Sequence, residues 1–368
     1  MTAVPDSLRY VAGAFGVVIV IASAASVIGT VITPRPTKGR FIRSLDRLVD
    51  LAFRGVTHWC DDYLTRDRIL AAQAPALLVF QLVAWLLLFF CGYSLILWPL
   101  LHTGITDAFS VGGSAIWAVG ESSPRGSAER AVLDLAALTG LVTITLQISY
   151  LPAIYSAFNR RATEVALLNA RSGLPAWGPE LLARTHFGLG TGNSMIPTLE
   201  QLYVDWERWS ADVMETHTTY PALVRVRAPK PLASWVTALL AVLDSAALLV
   251  SLSPSVAPMV SARLCLRSGF LCLQEIADIM GFRAPESTEP PTISLTYDQF
   301  VAAVAHIEAV GFPVERRPED AWPDFVGWRA NYEPAAYAIA TAIQAPPALW
   351  SGPRTFRADP IPPFRPPL

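Results

Sequence analysis

The chain has 368 residues, 52% of them hydrophobic and only 16% charged, and its mean hydropathy is positive. A soluble domain carries about a quarter charged residues, so part of this chain is built for lipid. The net charge of −2 gives no footprint for nucleic acid.

In chain order, residues 11–33 carry no charge, and their 23 positions suffice to cross a bilayer. The run is too long for a signal-peptide core, and only Arg9 beside Asp6 precedes it, so 1–33 is predicted to be a retained transmembrane anchor. In 34–73, Phe41, Leu45, Leu48, Val49, Ala52, Val56, Trp59, Cys60 and Tyr63 recur at helical spacing among arginines. Such an amphipathic helix would lie on the inner membrane surface or pack on a soluble domain. Residues 74–101 and 131–158 read as second and third spans; Asp134 and Gln147 are polar positions in the third, and Pro152 should kink it.

Charge sets the expected orientation. Segment 34–73 holds eight Lys/Arg, whereas 102–130 holds only Arg125 and Arg130, and the third span ends in Arg160–Arg161. The positive-inside rule then places 34–73 and everything after 158 in the cytoplasm, with the N-terminus and 102–130 outside a plasma membrane.

The segment 102–130 lacks the polar, irregular character of an external loop. Thr106 or Asp107 can cap a short helix, and Ala108 to Trp117 is apolar, small-residue-rich and too short to span. Non-helical backbone at membrane depth survives only buried in protein or lining a wet cavity. Span, short half-helix, Ala118-Val119-Gly120-Glu121-Ser122-Ser123-Pro124, span: this layout over roughly 80–160 resembles the pore-loop potassium-channel-like family of bacterial membrane proteins.

The resemblance implies a tetrameric cation channel with three transmembrane helices, a re-entrant pore helix and loop between the second and third, and an all-α cytoplasmic domain. Backbone carbonyls of Ala118, Val119, Gly120, Glu121 and Ser122 would form the filter, Trp117 would pack behind it, Gly140 and Pro152 would be gating hinges, and Gln147 would line the pore. Two of the six letters, Val119 and Gly120, match the family filter, Thr-Val-Gly-Tyr-Gly-Asp, and two of the four departures bear on conduction. Glu121 replaces Tyr and would present four carboxylates near the mouth, and Ser122 replaces a glycine whose backbone needs positive φ. Non-standard selectivity for monovalent or divalent cations follows, with no cofactor. The alternative is a membrane-anchored sensor or scaffold with a vestigial pore.

Residues 159–344 are predicted to form the helical cytoplasmic domain. Gly188-Leu-Gly-Thr-Gly-Asn193 lacks the Lys-Ser/Thr ending of a phosphate loop and reads as a linker. Helices are expected at 195–217, 235–252, 256–280, 296–311 (Thr296 and Gln299 forming a capping box) and about 319–344. The 235–252 run is apolar enough for a fourth span, but Asp244 at its middle favours a buried soluble helix. Asp212, Glu215 and His217 read as a solvated face rather than a metal site, His306 as a core histidine, and Cys265 and Cys272 as small apolar residues. No catalytic triad, acid pair or dinucleotide fingerprint emerges, so no enzyme is expected. The tail 345–368, with eight prolines, should be extended or disordered and dock on a partner subunit.

Overall fold

The structure, a computed structural model, describes residues 5–33, 40–60, 62–117, 126–188, 195–282, 292–356 and 359–364. Those residues are all-α, with isolated bridges and no sheet. They pack as two units: residues 1–54 with 72–155, and 55–71 with 156–368.

The first unit holds α1 (Asp6–Val27, continued by a π-helical turn over Ile28–Ile32), most of α2 (Arg40–Thr57), α4 (Gln73–Leu101), α5 (Ile105–Ile116) and the first part of α6 (Ser127–Ser172). Helix α1 meets α4 through small residues. A Cβ added to Gly16 would stand 2.5 Å from the Gly92 carbonyl oxygen, so the two backbones touch where neither residue has a side chain. The Trp85 indole N–H donates to Ser26 Oγ at 3.1 Å across the same seam, and Tyr93 joins α4 to α6 by a 2.8 Å hydrogen bond to Thr139. Outward lie Val11, Phe15, Val18 and Ile21 of α1, Val79, Phe80, Val83 and Leu87 of α4, and Leu135, Leu138, Leu141 and Ile148 of α6, all exposed. Apolar faces of that extent are not left in water. Thr139, Thr143, Thr145 and Ser149 return their hydroxyls to the carbonyl four residues back, which removes the cost of holding them in an apolar medium.

The second unit is a helical bundle: α3 (Tyr63–Ala71), the end of α6, α7 (Gly178–Gly188), α8 (Met195–Thr219), α9 (Trp235–Leu252), α10 (Met259–Met280), α11 (Tyr297–Glu308), α12 (Pro318–Arg329) and α13 (Glu333–Ala342). Helix α9 is its axis, with all 18 residues buried. Gly269 of α10 fits Leu243, and Gly178 at the start of α7 sits against Asp244 and Ala241. The Leu252 carbonyl at the end of α9 accepts from the backbone N–H groups of Glu315 and Arg316, at 3.1 and 3.0 Å.

Among the described residues, four helical runs are long and apolar enough to cross a membrane: α1 with its π-turn, α3–α4, α6 and α9. Burial separates them. The first three have 17%, 33% and 28% of their apolar window buried, and α9 has 100%.

The structure corrects several expected boundaries. The described part of segment 34–73 holds two helices, because α2 ends in a turn at His58–Trp59 and the Asp62 carboxylate caps α3 by accepting from the Thr65 N–H and hydroxyl at 2.9 and 3.1 Å. Helix α3 belongs to the second unit. The predicted helix 319–344 breaks at Ala330–Tyr332, since Pro334 has no N–H to continue a ladder and Tyr332 turns inward to reach Asp244. The Thr296–Gln299 capping box is present as read. The described part of the tail packs on its own unit: Phe364 pairs with Leu174, Phe356 stacks on Tyr63, and the Arg354 guanidinium reaches the carbonyls of Ala345, Pro346 and Ser351.

Candidate functional site

Helix α5 lies between two long apolar helices in sequence and is seated on both. Its buried stripe, Ala108, Gly112, Ala115 and Ile116, follows a helical period. At Gly112 the contact with α4 is so close that an added Cβ would stand 2.3 Å from Ser94 Oγ. At its C-terminal end the Ile116 carbonyl oxygen rests on α6, 2.6 Å from where a Cβ of Gly140 would be. Phe109 crosses Phe90 edge to face, centroids 5.3 Å apart. The point at which the chain leaves α5 is thus held by two glycines of different helices. Capping differs from expectation: the N-cap is Gly104, with no side-chain hydrogen bond, and Asp107 sits in the first turn where its charge favours the helix dipole.

The filter residues Ala118, Val119, Gly120, Glu121 and Ser122 lie outside the described residues. Trp117, expected to pack behind them, ends α5 and is 53% exposed in the single chain. Gly140 is a packing glycine inside an unbroken helix, and α6 likewise stays helical through Pro152. Gln147, expected on a pore wall, is buried toward α4 and donates to the Leu78 carbonyl at 3.4 Å. The exposed face of α6 carries Leu138, Leu141, Thr145 and Ser149 instead.

Two polar clusters in the second unit went unread in the sequence. In the first, Arg329 is completely buried and bridges three elements. Its Nε donates to Glu333 at 2.6 Å, one Nη to Asp244 at 2.5 Å, and the other to the Tyr337 hydroxyl at 2.9 Å and the Trp350 carbonyl at 2.6 Å. Tyr332 donates to the same Asp244 oxygen at 2.9 Å, and Glu333 accepts from the Ser294 N–H. Asp244 in an apolar run and Arg329–Glu333 at helical i, i+4 spacing were the available signals; only the fold pairs them.

In the second cluster, Arg161 is 2% exposed and donates to His217 Nε2 at 2.8 Å and to the carbonyls of Leu223 and Val226 at 2.7 and 2.6 Å. An arginine only donates, so Nε2 of His217 is the acceptor and the imidazole proton sits on Nδ1, facing the Thr216 hydroxyl at 3.1 Å. Burial brings the Arg161 guanidinium down to about 9. Burial, and then the Arg161 charge, hold His217 well below its ordinary value. The expected solvated face at 212–217 is therefore divided: Asp212 pairs with Arg160 at 3.0 Å, while His217 points inward. Among the described residues no group of three His, Cys, Asp or Glu is arranged to hold a metal. His306 is half-exposed rather than core and meets Glu180 at 2.7 Å, and Cys265 and Cys272 are buried thiols.

Against protein-family models, curated proteins and solved structures alike, the chain finds no match. The functional reading therefore rests on the geometry alone.

Proposed function

We propose that the chain is one subunit of a tetrameric pore-loop cation channel in the plasma membrane. Helices α1, α4 and α6 are its three spans, α5 is a re-entrant pore helix, and Ala118–Ser122 form the filter. The observation that carries this reading is the double seat of α5, on α4 through Gly112 and on α6 through Gly140. A 12-residue helix held on both flanks by missing side chains presents its C-terminal end, where carbonyls point outward, to the segment that follows. A cation in that segment would gain from the negative end of the helix and from Glu121.

Helix α9 is excluded from the spans in this reading, because it has no face left for lipid and its one acid is paired inside protein. Orientation follows the Lys/Arg excess of 34–73, so the second unit is cytoplasmic. On α6, the exposed Leu138–Leu141–Thr145–Ser149 face lines the pore and Gln147 ties the helix to α4. Pro152 marks the one place in the third span where the backbone ladder lacks a donor and can bend.

Recording from the purified chain in planar bilayers tests the proposal. Cation current is expected, and Glu121→Gln should reduce cation-over-anion preference severalfold; no current, or a preference indifferent to Glu121, refutes it. The second reading, a membrane-anchored binding protein with a dead pore, draws on Ser122 where the family has glycine, since a side chain there opposes positive φ. Mass in detergent separates the two: a pore needs about four copies around an axis, and a stable monomer ends the channel reading.

A further inference from the structure

The second unit contains a narrow cleft open to solvent. Its walls come from α3 (Tyr63, Asp67), α6 (Phe158, Arg161), the segment Val224–Trp235 and the start of the tail (Ala345, Pro346). The cations on these walls are Arg161, Arg225, Arg227 and Lys230, of which Arg225 has an interaction partner of its own, and the one carboxylate among the lining residues is Asp67. That carboxylate is already engaged: Arg227 donates to it at 2.5 Å, while the other end of the Arg227 guanidinium holds the Ile343 and Gln344 carbonyls.

Arg161 is the anomaly. A buried cation is normally matched by a carboxylate, because leaving water costs several kcal/mol per ion. Among the described residues Arg161 meets only a neutral imidazole and two carbonyls, with the rings of Phe158 and Trp235 at 5.5 and 5.8 Å. Its position is over-determined by those bonds, so it is held at the cleft wall rather than free to swing out to water. A fixed buried guanidinium without a counter-charge, on the wall of a cleft with Lys230 exposed at its rim, is a preorganised oxyanion site.

We propose that this cleft binds a phosphate-bearing anion, with Arg161 supplying the buried charge and Lys230 the charge at the rim. Two cations at separate points, Arg161 on the wall and Lys230 at the rim, favour a polyvalent phosphate over a monovalent carboxylate. The anion is either a soluble phosphate or the headgroup of an anionic lipid; the apolar stretch of α6 ends at Phe158, three residues before Arg161, so the lipid source is chemically open. This inference uses the second unit alone and stands whether or not the chain conducts ions.

The test is the melting temperature of the full chain in lipid nanodiscs, with potassium chloride of matched ionic strength as the control. One arm adds inorganic pyrophosphate to nanodiscs of phosphatidylcholine; the other replaces part of that lipid with phosphatidic acid. At least one arm should raise the melting temperature by about 2 °C or more. A rise in the first arm alone identifies a soluble phosphate, and a rise in the second alone a lipid headgroup. Because Arg161→Gln also removes the bonds that tie α6 to His217, Leu223 and Val226, the deciding variant is Lys230→Glu, at an exposed rim position; it should lose more than half of the rise. Arg208→Glu, an exposed charge reversal on α8 outside the cleft, should keep it. No rise in either arm, a rise that survives Lys230→Glu, or one equally lost in Arg208→Glu overturns the proposal.

Discussion

Helices α4 and α9 would be scored alike by any sliding window. The first has no charged residue in 29 and the second has one in 18. Yet a third of the apolar window of α4 is buried and all of that of α9. The difference lies in what each helix does with its few non-aliphatic positions. Helix α4 uses Gly92 to let α1 touch its backbone on one side and leaves Val79, Phe80, Val83 and Leu87 outward on the other. Helix α9 places Asp244 where Arg329 and Tyr332 converge, and neighbours close on every remaining face. Apolar content alone therefore does not separate a lipid-facing helix from the axis of a bundle; the partner of its one polar group does.

The sharpest way to break this comparison is to remove the cation that licenses Asp244. Arg329→Met leaves Asp244 and Glu333 buried without their guanidinium and should cost about 3–5 kcal/mol, read by denaturant unfolding of the second unit. Asp244→Leu discriminates further. In a lipid-facing helix it would be neutral or favourable, whereas here it leaves one Nη of Arg329 and the Tyr332 hydroxyl buried without their acceptor and should destabilise by about 1–3 kcal/mol, Glu333 still pairing with Arg329. A stable Asp244→Leu variant would return α9 to the list of spans.

A smaller effect belongs to the α1–α4 seam. Gly16→Leu forces a side chain into the Gly92 carbonyl and should cost about 1–3 kcal/mol through displaced helices. Engineered cysteines on α1 and α4 would read it as slower cross-linking. The same substitution at Gly55 of α2, where nothing lies within 4 Å, should have no packing penalty, which controls for helix propensity.

The long apolar runs, the short helix between two of them and the capping box at Thr296 were legible in the sequence, because each is a local pattern of period or spacing. What was not legible depends on residues far apart in the chain. Asp244 and Arg329 are 85 positions apart, Arg161 and His217 are 56, and nothing local says which of the acids near His217 it will avoid. The break between α2 and α3 was hidden because apolar spacing continues in phase through Trp59 and Tyr63, while the cap that ends it is a single aspartate. The role of Gly140 was half-legible: its small size was visible, but its use as a seat for Ile116 is a property of the packed helices.

The last contrast is between the two buried polar clusters, whose titrating groups respond to pH in opposite directions. Burial raises the Asp244 carboxyl to about 6, which favours the folded state as pH falls, and lowers His217, which disfavours it. His217 is neutral in the folded protein and its burial, with Arg161 beside it, opposes protonation. Once unfolded, the same imidazole takes a proton near pH 6.5. Below that pH the unfolded state holds more protons at this site than the folded state, so its share of stability is full above about pH 6.5 and falls as the pH drops. One histidine costs about 1.4 kcal/mol at pH 5.5 relative to pH 8, growing by about the same amount per further unit. Because the raised Asp244 carboxyl offsets part of it, the loss is read by denaturant unfolding at pH 8 and pH 5.5 as a difference between the native chain and a His217 variant. His217→Gln, whose amide oxygen can still accept from Arg161, should remove it even if the variant is less stable at both pH values. A loss of the same size in His217→Gln would assign the pH dependence to other groups and leave Arg161 with a different neutral partner than the one that its geometry indicates.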